Sequence, residues 1–254
     1  MRTESFAPSP TLRPFIQRFI VVEYSAGQTT KLLPGAGIVA AFRFKGQCLI
    51  NGSSAPNALV TGLLDQARVL AHSDGCANVI AMFTPTGAAA FLREPVANLF
   101  NGAMPFEQQV RSSHLTLIEE QLAGSPDNAG RVKRLEQFLL TELRPPRTDS
   151  LVAAAVAGIH RLRGSLRIAA LAQVLGFSQS TLERRFYSAV GASPKKFASV
   201  VRLRYVVRLR KGGATFTNIA HAAGYTDQAH FIKDFRRLAG ESPESFFRSS
   251  TGFC

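Results

Sequence analysis

Short runs rich in β-branched and aromatic residues occupy the first part of the chain: Arg18–Tyr24, Gly37–Phe44, Gln47–Gly52, Ala58–Leu64, Ala67–His72 and Ala77–Phe83. Gly, Pro, Ser or Asn separates most of them, a spacing that predicts a compact β-sandwich or barrel. After Thr84-Pro85-Thr86-Gly87 the period changes, and Ala88–Leu92, Leu115–Leu122 and Arg131–Leu143 read as helices. In the last of these, Val132, Leu135, Phe138 and Leu139 recur at three- and four-residue spacing and mark one apolar face. That stripe suits packing on its own domain or a seam with a second copy.

Arg144-Pro-Pro-Arg-Thr-Asp149 ends the third helix, because proline lacks an amide proton and disfavours helix in the residue before it. The boundary is expected near Pro145–Asp149, giving 1–147 as a β-rich domain with a helical tail and 148–254 as an all-helical one. The fold class is then α+β in two domains.

The helical part contains an internal repeat, Leu171–Phe197 and Ile219–Phe246. Leu171-Ala172 matches Ile219-Ala220, and Gly176-Phe177-Ser178 matches Gly224-Tyr225-Thr226. Past one inserted residue, Leu182, Phe186, Gly191, Ser193-Pro194 and Phe197 match Phe231, Phe235, Gly240, Ser242-Pro243 and Phe246. Each copy reads as a helix-turn-helix. A short apolar helix meets Gly176 or Gly224, where a positive φ is cheap. Ser178 or Thr226 then caps a second helix, whose Leu182 and Phe186, or Phe231 and Phe235, face inward. Gly-x-Ser-Pro closes each unit: glycine ends the helix, Ser caps the next and Pro starts it. Between the copies, Lys195–Lys211 contains no breaker. A helix of about 18 residues there spans about 27 Å and can hold two recognition helices about one DNA turn, ~34 Å, apart.

Charge sharpens this picture. The 254 residues carry 30 Lys+Arg against 17 Asp+Glu, a net +13. Residues 1–128 hold 9 of each sign, so the whole excess, 21 against 8, lies in the second half. A neutral half joined to a basic half suggests one part that senses or assembles and one that meets a polyanion.

Two helix-turn-helix units on a shared helix, together with GYTDQAHFIKDFRRLAGESPESF and the Arg202-Leu203 pair, strongly resemble the DNA-binding domain of the AraC/XylS family of transcriptional regulators, over about Gly158–Arg248. The resemblance implies a sequence-specific regulator, an activator or a repressor, that binds double-stranded DNA and works with RNA polymerase. LLPGAGIVAAFRF and MFTPTGAAAFL are similar to pieces of the cupin-like domains that family members carry in front, which bind small effectors or pair subunits. A small-molecule effector and a homodimer are the corresponding expectations.

For base contacts the candidates are Ser180, Thr181, Glu183 and Arg184 on the first recognition helix and Gln228, Ala229, His230, Ile232 and Lys233 on the second. Arg184 suits guanine O6 and N7, Gln228 suits adenine, Lys233 suits guanine or phosphate, and Ala229 or Ile232 suits a thymine methyl. Glu183 can accept from cytosine or pair with an arginine. Arg185, Arg202, Arg204, Arg236 and Arg237 are the phosphate candidates.

Other chemistries find little support. The five histidines never fall at HxH or HxxxH spacing, and the histidines of a cupin metal set are missing, so neither metal nor cofactor is expected. Three widely spaced cysteines without a CxxC pair suit reduced thiols, with Cys48 and Cys76 either two inert buried groups or a redox pair. No run approaches the ~18 apolar residues of a membrane span, and MRTESFAPSP has no signal-peptide core, so a cytoplasmic setting is expected. A catalytic triad drawn from His221, His230 and Ser178 or Ser180 would compete with the turn chemistry of the same residues. The rival functions are a cupin-like enzyme fused to a DNA-binding domain and a non-specific nucleic-acid binder.

Overall fold

A computed structural model describes residues 1–110, 112–145 and 149–249. They divide into two compact units. The first comprises Met1–Lys31, Gly37–Gly62 and the described part of Arg68–Arg147; the second comprises Leu32–Ala36, Leu63–Ala67 and the described residues from 149 onward.

The first unit carries two antiparallel sheets. Its strands are β1 (Arg2–Phe6), β2 (Ile16–Glu23), β3 (Gln28–Leu32), β4 (Val39–Lys45), β5 (Cys48–Ile50), β6 (Ser53–Ser54), β7 (Ala58–Thr61), β8 (Arg68–His72), β9 (Ala77–Phe83) and β10 (Ala103–Pro105). The six-stranded sheet runs β1-β2-β9-β4-β7-β10 and the four-stranded sheet β3-β8-β5-β6. All six predicted strands are present. The four that the sequence pattern does not reveal are the four sheet edges. Edge strands pair on one side only, tolerate polar residues and proline, and lose the alternation that marks a covered strand. Arg2-Thr-Glu-Ser-Phe6, Ser53-Ser54 and Ala103-Met-Pro105 are of that kind.

One face of the six-stranded sheet is apolar at every second position: Phe19 and Val21 on β2, Ala40 and Phe42 on β4, Val79, Ala81 and Phe83 on β9. Helices α1 (Ser112–Ala123) and α2 (Asn128–Glu142) belong to the same core through Leu115, Ile118 and Leu122, and through Val132, Leu135, Phe138 and Leu139. Phe138 meets Phe42 edge-on at 5.9 Å and Phe106 at 6.0 Å. The α2 stripe is therefore buried within its own unit. Asp127 caps α2 by accepting from the Gly130 amide at 2.7 Å. The expected helix at Ala88–Leu92 is a single 3-10 turn over Gly87–Ala90, with no side-chain cap bond from Thr86.

The second unit is built around α6 (Pro194–Lys211), which follows α3 (Ser150–Arg161), α4 (Ile168–Val174) and α5 (Gln179–Val190), and precedes α7 (Phe216–Ala222), α8 (Gln228–Ala239) and α9 (Pro243–Ser249). At 18 residues α6 has the expected length. It is buried almost all round, which a solvated spacer would not be. Phe197 packs on Phe186 of α5 at 5.4 Å, while Leu203, Val206 and Val207 share a core with Ile219, Phe231, Phe235 and Phe246. Leu33, from the Leu32–Ala36 segment, is buried in that same core.

Candidate nucleic-acid interface

The two repeats build the same turn from the same parts. Gly176 and Gly224 adopt φ of +76° and +70°, the left-handed region where a side chain is strained. The first repeat then starts α5 at Ser178, whose hydroxyl oxygen accepts from the Thr181 amide at 3.2 Å. The second repeat corrects the expectation for Thr226. Asp227 is the cap of α8, accepting from the His230 amide at 2.7 Å, and the Thr226 hydroxyl lies 2.9 Å from His230 Nδ1 instead. Thr226 is thus the inserted residue, placed between glycine and cap. Gly191 and Gly240 close α5 and α8 in the left-handed conformation, and Ser193 caps α6 with Pro194 in its first turn.

These caps and turns fix which side chains face solvent. On α5, Leu182, Phe186 and Val190 are buried, while Ser180 and Arg184 are exposed. Thr181 is half-buried and accepts from the Ser178 hydroxyl at 2.9 Å. Glu183, also half-buried, accepts from Gln179 Nε2 at 2.8 Å, so its recorded partner is an amide rather than an arginine. Tyr187, 44% exposed, stands one turn beyond Arg184, a position that the i, i+3 spacing would have revealed. On α8, Phe231, Phe235, Leu238 and Ala239 are buried, and Gln228, Ala229, His230, Ile232 and Lys233 are all exposed.

The phosphate candidates separate into two kinds. Arg236 is exposed, and Arg237 is exposed with Nη2 donating to Asp234 at 2.7 Å. Arg204 is half-buried. Arg185 and Arg202 each have a partner within the unit. Arg185 donates twice to Asp149, and this pairing holds the Asp149 carboxyl below its usual range. Arg202 donates from Nη2 to the Gly164 carbonyl at 3.0 Å and lies over the Tyr225 ring at 4.9 Å. Tyr225 donates to Asp234 at 3.0 Å, and burial foremost, then the Asp234 charge, pushes its phenol well above the ordinary range.

A model for a helix-turn-helix domain (HTH_18) matches residues 171–249, spanning both turns and the helix that joins them. The second unit is similar to the helix-turn-helix domains of proteins named as AraC-like transcription regulators. A model for a domain of unknown function (DUF6597) matches residues 4–105 of the chain. Over 105 residues it is 34% identical to a Streptomyces lividans protein named "Putative AraC-like transcription regulator", covering 41% of this chain and 34% of that protein. Over 148 residues it is 26% identical to the HTH-type transcriptional activator RhaS of Pectobacterium carotovorum, covering 54% of this chain and 53% of RhaS. The chain thus spans between about a third and a half of the length of these relatives. A structure of ToxT from Vibrio cholerae shares the two-part fold, with a TM-score of 0.50 and 12% identity over 99% of each chain.

Away from the repeats, Cys48 and Cys76 are free, buried thiols in one small cluster of the first unit. Burial raises the pKa of both, which keeps them protonated and poorly nucleophilic. Among the described residues, no group of three or more His, Cys, Asp or Glu side chains is arranged to hold a metal ion. No helix among them is long and apolar enough to cross a membrane.

Proposed function

We infer that this chain is a sequence-specific, double-stranded-DNA-binding transcription regulator, with residues 148–254 as the DNA-binding domain and 1–147 as a domain for sensing or assembly. One observation carries the reading: two helix-turn-helix units with matching turns and caps, mounted on one buried 18-residue helix. A rigid spacer of that length suits two helices in successive major grooves on one side of a duplex. A non-specific binder needs charge but no such registration.

In this reading Arg184 donates to guanine O6 and N7, Gln228 pairs with adenine, and Ala229 or Ile232 meets a thymine methyl. Ser180, Thr181, Glu183, His230 and Lys233 complete the base-facing set, and Arg204, Arg236 and Arg237 hold phosphates. Arg185 and Arg202, besides bracing the scaffold, are proposed to contribute to phosphate contacts. A small-molecule effector, a second copy of the chain and RNA polymerase are the proposed partners, in the cytoplasm. The reading is supported by relatives that are named as transcription regulators and activators.

The test is to select duplexes bound by the full chain from a random pool, then measure affinity across salt. A shared sequence in the selected pool is expected. With about 6 phosphates neutralised, log affinity should fall against log salt with a slope near −5. Equal affinity for scrambled duplexes would assign the charge to non-specific binding.

A further inference from the structure

Between the two helix-turn-helix units lies a cavity of about 520 Å³, at the start of α6 and along one flank of α8. Lys195, Lys196, Arg202, His230 and Arg237 line it, together with one acid, Asp234. It is off the centre of the recognition faces: Gln228 and Ile232 lie on the other flank of α8 and do not line it.

The charges do not cancel. Lys196 is engaged by the Asp65 carboxylate. Asp234 is occupied on both oxygens, Oδ1 by Arg237 and Oδ2 by the Tyr225 hydroxyl. Lys195 is exposed at the rim. Arg202 is fixed by its Nη2 bond and its stack on Tyr225, yet its Nε is buried with no hydrogen-bond partner. Its guanidinium still adds a positive charge to the cavity wall. Ser193, Lys195 and Lys196 place the cavity at the positive end of the α6 dipole. Clustered cations and a helix N-terminus together suit a phosphate group rather than a nucleobase edge or an apolar ligand.

We propose that this cavity seats a backbone phosphate of bound DNA, on the strand that crosses from the groove read by α5 to the groove read by α8. The assignment rests on the function inferred above and adds to it a contact between the two recognition helices, shared by the start of α6 and one flank of α8. It makes the α6 start a clamp that sets register between the two half-sites and reads no base.

The experiment uses the full chain on its selected duplex. Lys195→Ala should weaken binding by about 3- to 10-fold, equally on selected and scrambled duplexes, and reduce the salt slope by about 1. Lys195→Arg should restore both. In the wild type, replacing single phosphates between the half-sites by neutral methylphosphonates should expose one position that weakens binding, and that effect should vanish in Lys195→Ala. Affinity and slope unchanged by Lys195→Ala, or a methylphosphonate effect of equal size in both proteins, would overturn the clamp while leaving the regulator reading intact. Saturable binding of inorganic phosphate that Lys195→Ala abolishes, with duplex binding unaffected, would make a free phosphorylated molecule the occupant and overturn it too. A wild-type chain with no sequence preference at all would defeat both readings.

Discussion

Arg185 of the first recognition helix grips Asp149, just ahead of α3, through two parallel bonds: Nε to Oδ2 at 2.8 Å and Nη2 to Oδ1 at 2.7 Å. The same carboxylate caps α3, accepting from the Val152 amide at 3.1 Å. One acid thus ties the start of the helical unit to the helix that faces outward.

Two substitutions separate the roles of Asp149. Asp149→Ala removes the cap, at about 1 kcal/mol, together with both Arg185 bonds, whereas Asp149→Asn keeps a cap of similar quality and loses the charge and one of the two acceptors for Arg185. Because the Arg185 bonds, foremost, hold the Asp149 pKa low in the folded state, the charge contributes stability above the unfolded carboxyl value of about 3.9. That contribution is lost as pH falls through the lower folded value. Thermal unfolding of the full chain should therefore show less acid destabilisation in Asp149→Asn than in wild type below about pH 4. Parallel curves would show that the pair contributes nothing.

The two turn glycines predict unequal costs. Both need φ near +70° to +80°, which for alanine costs roughly 1–2 kcal/mol. A Cβ at Gly176 would meet nothing within 4 Å, but one at Gly224 would lie 2.0 Å from Ser165 Oγ. Gly224→Ala should destabilise more than Gly176→Ala in urea unfolding. Adding Ser165→Ala should recover most of the difference. Equal costs for the single substitutions would mean that the Ser165 hydroxyl simply rotates away.

Legibility tracked the number of physical constraints on each residue. Strands covered on both sides carry runs of Val, Ile, Ala and Phe, such as Ala77–Phe83, and declare themselves; edges such as Gln28–Leu32 carry few. The helix-turn-helix units were plain because glycine, cap and inward apolar pair recur together, twice. What composition could not reveal was partnership. Asp149 and Arg185 are 36 positions apart, and nothing local marks them as a pair. Arg202 looked like one more cation on a basic helix, but Tyr225 and Gly164 lie against it. The cap of α8 was misplaced by one residue for a simpler reason: Thr226 and Asp227 are both competent caps, and backbone geometry chooses the second.

Arg184 and Lys233 are exposed at the outward centres of α5 and α8, so truncating them should touch recognition rather than folding. Arg184→Ala and Lys233→Ala should each weaken binding to the selected duplex by about 1–3 kcal/mol and relax preference at a few base positions. Alanine is a good helix former, so helical content and the unfolding midpoint should stay close to wild type. Arg185→Ala should do the reverse, lowering the midpoint with little change in base preference. Unaltered preference in both Arg184→Ala and Lys233→Ala would remove them from the base-reading set.

His72 gives the first unit its own pH response. The ring is 7% exposed, stacks on Tyr24 with centroids 3.8 Å apart, and lies 3.2 Å from Thr30 Oγ1 and 3.7 Å from Cys76 Sγ. Burial first, and then the Arg43 charge, lower its pKa from the ordinary value of 6.5. The folded unit therefore favours the neutral ring, while the unfolded chain takes up a proton below about pH 6.5. Stability from this site is full above that pH and is lost as pH falls toward the folded value, with a slope of at most about 1.4 kcal/mol per pH unit. Urea unfolding of the full chain between pH 7.5 and 5 should show this loss in wild type, and His72→Gln should flatten it even if it lowers stability throughout. If the two proteins lose stability in parallel over that range, the destabilising proton goes elsewhere.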